Sequence, residues 1–530
     1  MFKQQAVMNA TLSWDMNFDV FTFVCLIFTV FCVYKILKII LRSVYRQKKR
    51  NLTKKLSSSA IFFNSNVSSW QTRRNMGHYE NYLTKSGSRL DRKLYSVLVL
   101  KSKVTLRREV VQNALVLLSR KHPLLRANVD VPARGYSFYQ HFDMTKKQFV
   151  ILKERQFWPE LRFVNTSHWS IVLEEELLLN KVDYTHLWRT ILLREQYHAF
   201  DRLYTNTLLF FFDQVIMDRR SIIQFIEDFV KFLCKLLNCD IHVADTKAEK
   251  LQEPVEDLLR EPTFWKSFSL MTQEKLHSVF SFASSQAMFQ QKFCGNKGRT
   301  KPFFLRNSFS TEETLQLLNI CDKMNCSLTS VFTAAWLMVQ ASNDSANCRC
   351  EKLFTKQDVT IIVDCRSLLT TQFPSSYLGN CSSKITLRLT SGQFENNFWE
   401  YAKDCEKLLK SAVKNEIHLD FIWKMKYRQP NRNGNYLTSR SSLEISDVGR
   451  FNLSKQDPFM VEDIYIAGSG VAQKCITLVV INDKLFCGIH WTSCLKESFS
   501  SGNFNALFAL IQKMCCPNNL MVGSEILSPD

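Results

Sequence analysis

Residues 207–221 read Thr-Leu-Leu-Phe-Phe-Phe-Asp-Gln-Val-Ile-Met-Asp-Arg-Arg-Ser. Thr207 to Phe212 is an unbroken apolar run of strand length, the pattern of a strand buried on both faces. A tight turn follows at Asp213. From Arg220 onward Ile222, Ile223, Phe225, Ile226, Phe229, Val230, Leu233 and Leu236 recur at helical spacing and give one strongly apolar face. The segment is therefore a strand-to-helix junction.

Upstream, Leu94 to Leu100 (LYSVLVL) has the β-branched and aromatic content of a strand. Glu109 to Ser119 carries Val110, Val111, Ala114, Leu115 and Leu118 at helical spacing and is stopped by Pro123. Tyr136 to Phe142, His168 to Leu173 and Leu187 to Leu193 read as extended, with Glu174-Glu175-Glu176 between the last two. Downstream, the low-hydrophobicity stretch Ser284 to Lys301 reads as a lobe boundary. Ser310 and Glu313 have capping-box spacing before Leu315, Leu317, Leu318 and Cys321. Leu328 to Gln340 is a second apolar helix, and Val359 to Val363 and Ile385 to Leu389 read as strands. Cys475 to Ile481 and Leu485 to Trp491 make a hairpin across Asn482-Asp483. Strands alternate with helices in both halves, so the expected fold class is α/β.

The 530-residue chain has a net charge of +20. Val20 to Tyr34 is free of charge, and Ile36, Leu37, Ile39, Ile40 and Leu41 extend the apolar character past Lys35 and Lys38. Val20 to Leu41 reaches the roughly 20 residues a spanning helix needs if both lysines snorkel. Asp15 and Asp19 precede it and no small-residue cleavage site follows, which argues against a signal peptide. Lys35, Lys38, Arg42, Arg46, Lys48, Lys49, Arg50, Lys54 and Lys55 crowd the C-terminal flank and place it in the cytoplasm. The same cations suit anionic lipid, and no zinc-finger or RNP motif supports nucleic-acid binding. Seventeen cysteines without a C-x-x-C pair fit reduced thiols, with no metal site. The expected organisation is a short lumenal or extracellular N-terminus (1–19), a transmembrane anchor (20–41), a basic juxtamembrane segment and linker (42–75) and two lobes (76–290 and 291–530). The expectation is a single-pass membrane protein with its bulk cytoplasmic, in the endoplasmic reticulum membrane.

The junction resembles the condensation-domain and alcohol acetyltransferase superfamily, the fold shared with chloramphenicol acetyltransferase, whose motif there is H-H-x-x-x-D-G. Three further tags resemble the family's in its order. Arg120-Lys121-His122-Pro123-Leu124-Leu125-Arg126 is similar to R-H-P-x-L-R, and Leu187-Trp188-Arg189 to P-L-W-R. Val363 to Leu369 followed by Tyr377-Leu378-Gly379-Asn380 is similar to V-x-x-R-x-L…Y-L-G-N. The resemblance implies two chloramphenicol acetyltransferase-like lobes with a tunnel between them. An acyl thioester enters from one side and an alcohol or amine from the other, and the second motif His removes the acceptor's proton. The motif Asp holds the turn through an ion pair, which assigns Asp218 and Arg366 to that pair.

The residues depart from the motif at its chemistry. Asp213 and Gln214 replace the two histidines and Arg219 the glycine, with Arg220-Ser221 following. Gln214 cannot act as a base, a loss worth roughly 10²–10⁴ in rate. Three readings stay open. The first is a membrane-anchored scaffold that binds acyl-CoA, lipid or a partner without turnover. The second is an active CoA-dependent O- or N-acyltransferase on a lipophilic alcohol or amine with a recruited base, for which Asp213, His198 and His490 are the candidates. The third is a basic membrane adaptor with an unrelated α/β domain. No resident cofactor is expected; acyl-CoA enters as co-substrate or ligand, and membrane lipid or a lipophilic alcohol as partner.

Overall fold

The apolar run at the junction is the middle of a strand, Leu203–Asp213, whose side chains alternate between two cores. Leu208, Phe210 and Phe212 enter one, Leu209 and Phe211 the other. Burial on both faces is why the run lacks the polar alternation of a surface strand. The computed structural model describes residues 72–85, 93–130, 147–154, 157–178, 187–238, 247–274, 301–347, 355–369, 373–391, 398–427, 443–453, 458–468, 474–493 and 497–515. All of them fall in the compact unit Gln71–Asp530.

In chain order the elements are β1 (Thr72–Asn75), α1 (His78–Lys85), β2 (Lys93–Ser102), α2 (Arg108–Lys121), β3 (Ala127–Asp130), β4 (Gln148–Ile151), β5 (Leu161–Val164), α3 (Trp169–Leu178), β6 (Trp188–Leu193), β7 (Gln196–His198), β8 (Leu203–Asp213), α4 (Arg219–Leu237) and α5 (Val255–Leu258). A helix over 264–274 (α6) follows. The second half holds β9 (Lys301–Ser308), α7 (Thr311–Met324), α8 (Leu328–Asn347), β10 (Thr355–Asp364), β11 (Ser382–Ser391), α9 (Phe398–Lys414), α10 (Ile417–Tyr427), β12 (Leu443–Phe451), β13 (Phe459–Gly468), β14 (Lys474–Ile481), β15 (Lys484–Ser493) and α11 (Glu497–Cys515).

Two mixed sheets organise these elements. The first runs β13-β2-β8-β6-β5, with β7 also on β8; the second runs β11-β10-β12-β14-β15-β9. A small sheet, β1-β4-β3, stands apart. β13 comes from the C-terminal half yet pairs antiparallel with β2, from Phe459 opposite Ser102 to Gly468 opposite Leu94. The first sheet is thus completed by a strand from beyond residue 290.

Helix α4 lies between the sheets. Its Phe225 and Phe229 meet Phe212 and Phe210 edge-on at 5.0 and 5.5 Å. Val479, Ile481 and Phe486 of the second sheet belong to the same core. The opposite face of the second sheet is covered by α7, α8, α9 and α11 through Leu317, Phe332, Trp399 and Phe504.

Local signals hold where the chemistry is local. Ser310 caps α7 with both capping-box bonds formed, the Glu313 N–H to Ser310 Oγ (3.1 Å) and the Ser310 N–H to Glu313 Oε2 (2.8 Å). Asn482 and Asp483 turn the β14–β15 hairpin with φ of 48° and 61°, the left-handed pair that suits strand twist. The His168–Leu173 expectation fails, because Trp169–Leu178 is helical. Its aromatic and β-branched start imitates a strand. The acidic run, rich in a good helix former, instead continues a helix that buries Val172, Leu173 and Leu177 and pairs buried Glu176 with Arg162 and Arg189.

The expected anchor, the Tyr136–Phe142 strand and nearly all of the Ser284–Lys301 boundary lie outside the described residues. Among the described residues no helix is long and apolar enough to cross a membrane.

Candidate functional site

Asp213 ends β8, and its groups are spent on the turn. Its N–H donates to the Leu187 carbonyl (2.8 Å), and its Oδ1 accepts from the Val215 N–H (3.0 Å), an Asx turn. The Gln214 carbonyl accepts from Asn380 Nδ2 at 2.7 Å. Asp218 then caps α4. Its Oδ1 accepts the Ser221 N–H and its Oδ2 the Cys381 N–H, both at 2.8 Å.

The structure brings Asp218 and Arg366 together as a buried fork. Arg366 Nη1 is 2.9 Å from Asp218 Oδ2, and Nη2 is 3.1 Å from Oδ1. Arg366 also donates to Ser221 Oγ (2.7 Å), the Gly379 carbonyl (3.1 Å) and Asp364 Oδ1 (2.8 Å). Burial opposes the guanidinium charge, but Asp218 and Asp364 outweigh it and raise its pKa. Ser221 closes the knot: its N–H bonds the cap, and its Oγ donates to the Gly379 carbonyl (2.8 Å). Both Asp218 oxygens, the Ser221 hydroxyl and both Arg366 Nη atoms have structural partners, so Asp218, Ser221 and Arg366 hold the junction rather than face a substrate.

Arg219 points elsewhere. As the first residue of α4 it is buried and reaches the second sheet, where Nη2 donates to Glu444 Oε1 (2.8 Å) and Cys475 Sγ (3.1 Å). Lys384 Nζ lies 3.5 Å from the other Glu444 oxygen. The strand end opposite Arg219 must be glycine-thin. A Cβ at Gly468 would stand 3.2 Å from the guanidinium and 2.5 Å from Leu94. Burial alone would push Glu444 up; Lys384 and Arg219 outweigh it and hold the carboxyl down at about 2. Burial pushes the Cys475 thiol up to about 11, against the pull of Arg219.

His490 faces Cys475 in register across β14 and β15. Burial, helped by Arg219, lowers its imidazole to about 4, so it is neutral at pH 7. The Tyr95 ring meets it edge-on at 6.0 Å. His198 sits exposed on β7. Sequence reading did not single out Glu444, Lys384 or Cys475. A signal existed: in Leu443-Glu444-Ile445-Ser446 the apolar residues face the helix-covered core, which leaves a lone carboxylate on the other face of a buried strand. Among the described residues no group of three or more His, Cys, Asp or Glu side chains could hold a metal ion.

Two mixed sheets, a strand shared back into the first of them, and an Asp–Arg knot at a strand-to-helix junction define the chloramphenicol acetyltransferase-like fold of acyltransferases and condensation domains. Within that class the chain belongs to the alcohol acetyltransferase family, whose model matches residues 163–485, more than half of the chain. It is similar to a trichothecene 15-O-acetyltransferase from Fusarium sporotrichioides at 12% identity, covering 85% of this chain and 97% of that one with a TM-score of 0.61. It is also similar to the epimerization domain from the third module of tyrocidine synthetase B (11% identity, 88% and 100% covered, TM-score 0.54). A third is the condensation domain of the monacolin K polyketide synthase (7%, 85% and 99%, 0.54). At these identities the likenesses show the fold. No curated protein matches the chain significantly.

Proposed function

We propose that this chain is a membrane-anchored member of the family that uses its two-lobed body, and the tunnel expected between the lobes, to hold an acyl-CoA or a lipophilic ligand without turning it over. One observation carries the reading. At the place where the family motif has glycine, Arg219 is buried and bonded across the sheets to Glu444 and Cys475. A long paired cation stands where a glycine would leave room for close approach, beside a Gln214 that cannot accept a proton. The Asp218–Arg366 knot keeps the scaffold, while the groups that would perform transfer are replaced. The apolar segment 20–41 and its nine flanking cations support the tether.

A second reading, turnover by a recruited base, is favoured by His490, a neutral imidazole in the row of Glu444 and Cys475. One experiment separates the two. Purified full-length protein is given acetyl-CoA with a panel of alcohols and amines, and free CoA is followed. The scaffold reading predicts no acceptor-dependent release above a control without protein. Release that His490→Gln abolishes establishes the second reading instead.

A further inference from the structure

Helix α6 leaves three aromatic side chains in solvent: Phe264 at 71%, Trp265 at 76% and Phe268 at 50% exposure. The spacing i, i+1, i+4 gathers them on one side of the helix, and the Phe264 and Trp265 rings pack edge-on at 5.5 Å. The other side is fixed to the body. Leu270 is buried in a cluster with Tyr79 and Tyr82 of α1 and Leu419, Ile422 and Trp423 of α10. Lys266 pairs with Asp420 (3.0 Å) and Glu416 (3.7 Å). Those two ion pairs fix the start of α10 against α6. The result is an exposed aromatic face on a helix whose other side is anchored in the core.

What covers this surface is indicated by the chain that leads to it. Helix α1 is the first described helix after the 71 residues that contain the apolar segment 20–41 and its cations. It packs into the same cluster that seats α6. The chain enters the body at β1 and, two residues after it, joins through α1 the cluster that seats the aromatic helix. Trp and Phe are also the side chains that favour the boundary between head groups and acyl chains.

We propose that Phe264, Trp265 and Phe268 form a wedge that inserts into the head-group region of the bilayer to which the N-terminal segment tethers the chain. This rests on the membrane-anchored reading above. The wedge gives the body a defined orientation against the lipid rather than a free tumble on its linker.

The test uses full-length protein in phosphatidylcholine vesicles containing a minority of phosphatidylserine, with and without brominated acyl chains. Flotation is scored first, then tryptophan emission. The expected result is a bromine-quenched emission in the wild type, part of it from Trp14 beside the anchor segment, whose remainder Trp265→Phe removes and Phe264→Ser with Phe268→Ser diminishes. Equal fractional quenching of wild type and Trp265→Phe in protein that floats overturns the wedge alone. Protein that stays in the aqueous fraction overturns the anchored reading and the wedge together. Trp265 is largely exposed, so its replacement leaves the core untouched.

Discussion

Asp218→Asn isolates the charge of the knot. Asn caps helices about as well as Asp, so its Oδ1 can still accept the Ser221 N–H. The lost oxygen is Oδ2, which accepts from Cys381 N–H (2.8 Å) and lies 2.9 Å from Arg366 Nη1. An amide nitrogen there presents a donor to two donors. It also leaves Arg366 buried with only Asp364 as a charged partner. Removing one member of a buried pair costs about 3–5 kcal/mol, a large share of the roughly 5–15 kcal/mol typical of a folded domain. Urea unfolding followed by circular dichroism should show a loss of that size. Arg366→Met alone should lose as much, since it strands Asp218. The double variant should lose less than the two singles added, because neither charge is then left alone. A loss below about 1 kcal/mol for Asp218→Asn, or simple additivity in the double variant, would refute the claim that this pair holds the junction.

Three further outcomes are expected. His490 and Glu444 both have folded pKa values below their ordinary ones, about 4 against 6.5 and about 2 against 4.5. Stability they contribute is present at neutral pH and is lost as pH falls, first through 6.5 and then through 4.5. His490 alone is worth about 3 kcal/mol between pH 7 and 4, so His490→Gln should flatten the upper part of that decline in urea midpoints. Ser310→Ala removes the Oγ that accepts the Glu313 N–H at the start of α7, leaves the Ser310 N–H bond to Glu313 in place, and should lose about 1 kcal/mol in the same assay. Asp483→Gly relieves a residue at φ 61° and should raise stability by up to about 1 kcal/mol.

The junction was legible because each part is local: an apolar run buried on both faces, a turn, an amphipathic helix. The capping box at Ser310 and the Asn482-Asp483 hairpin were legible for the same reason. Asp218 and Arg366 lie 148 residues apart, and their pairing came from likeness to a family, which periodicity could not supply. The Arg219–Glu444 contact spans 225 residues and has no counterpart in the family motif, so only the folded chain reveals it. β13 was invisible because Glu462 and Asp463 interrupt its pattern, at the place where its register with β2 shifts. Helix α3 was misread because its first residues favour a strand, while its Glu176 pairs with Arg162 and Arg189, partners that a window on the segment alone does not contain.

The proposed function requires that Gln214 and Arg219 together prevent transfer by a chain that keeps the family's fold. The most direct measurement is acceptor-dependent release of free CoA from acetyl-CoA by wild type and by Gln214→His with Arg219→Gly. The account predicts background release from the wild type and measurable release from the double variant. Equal rates from the two proteins would contradict it.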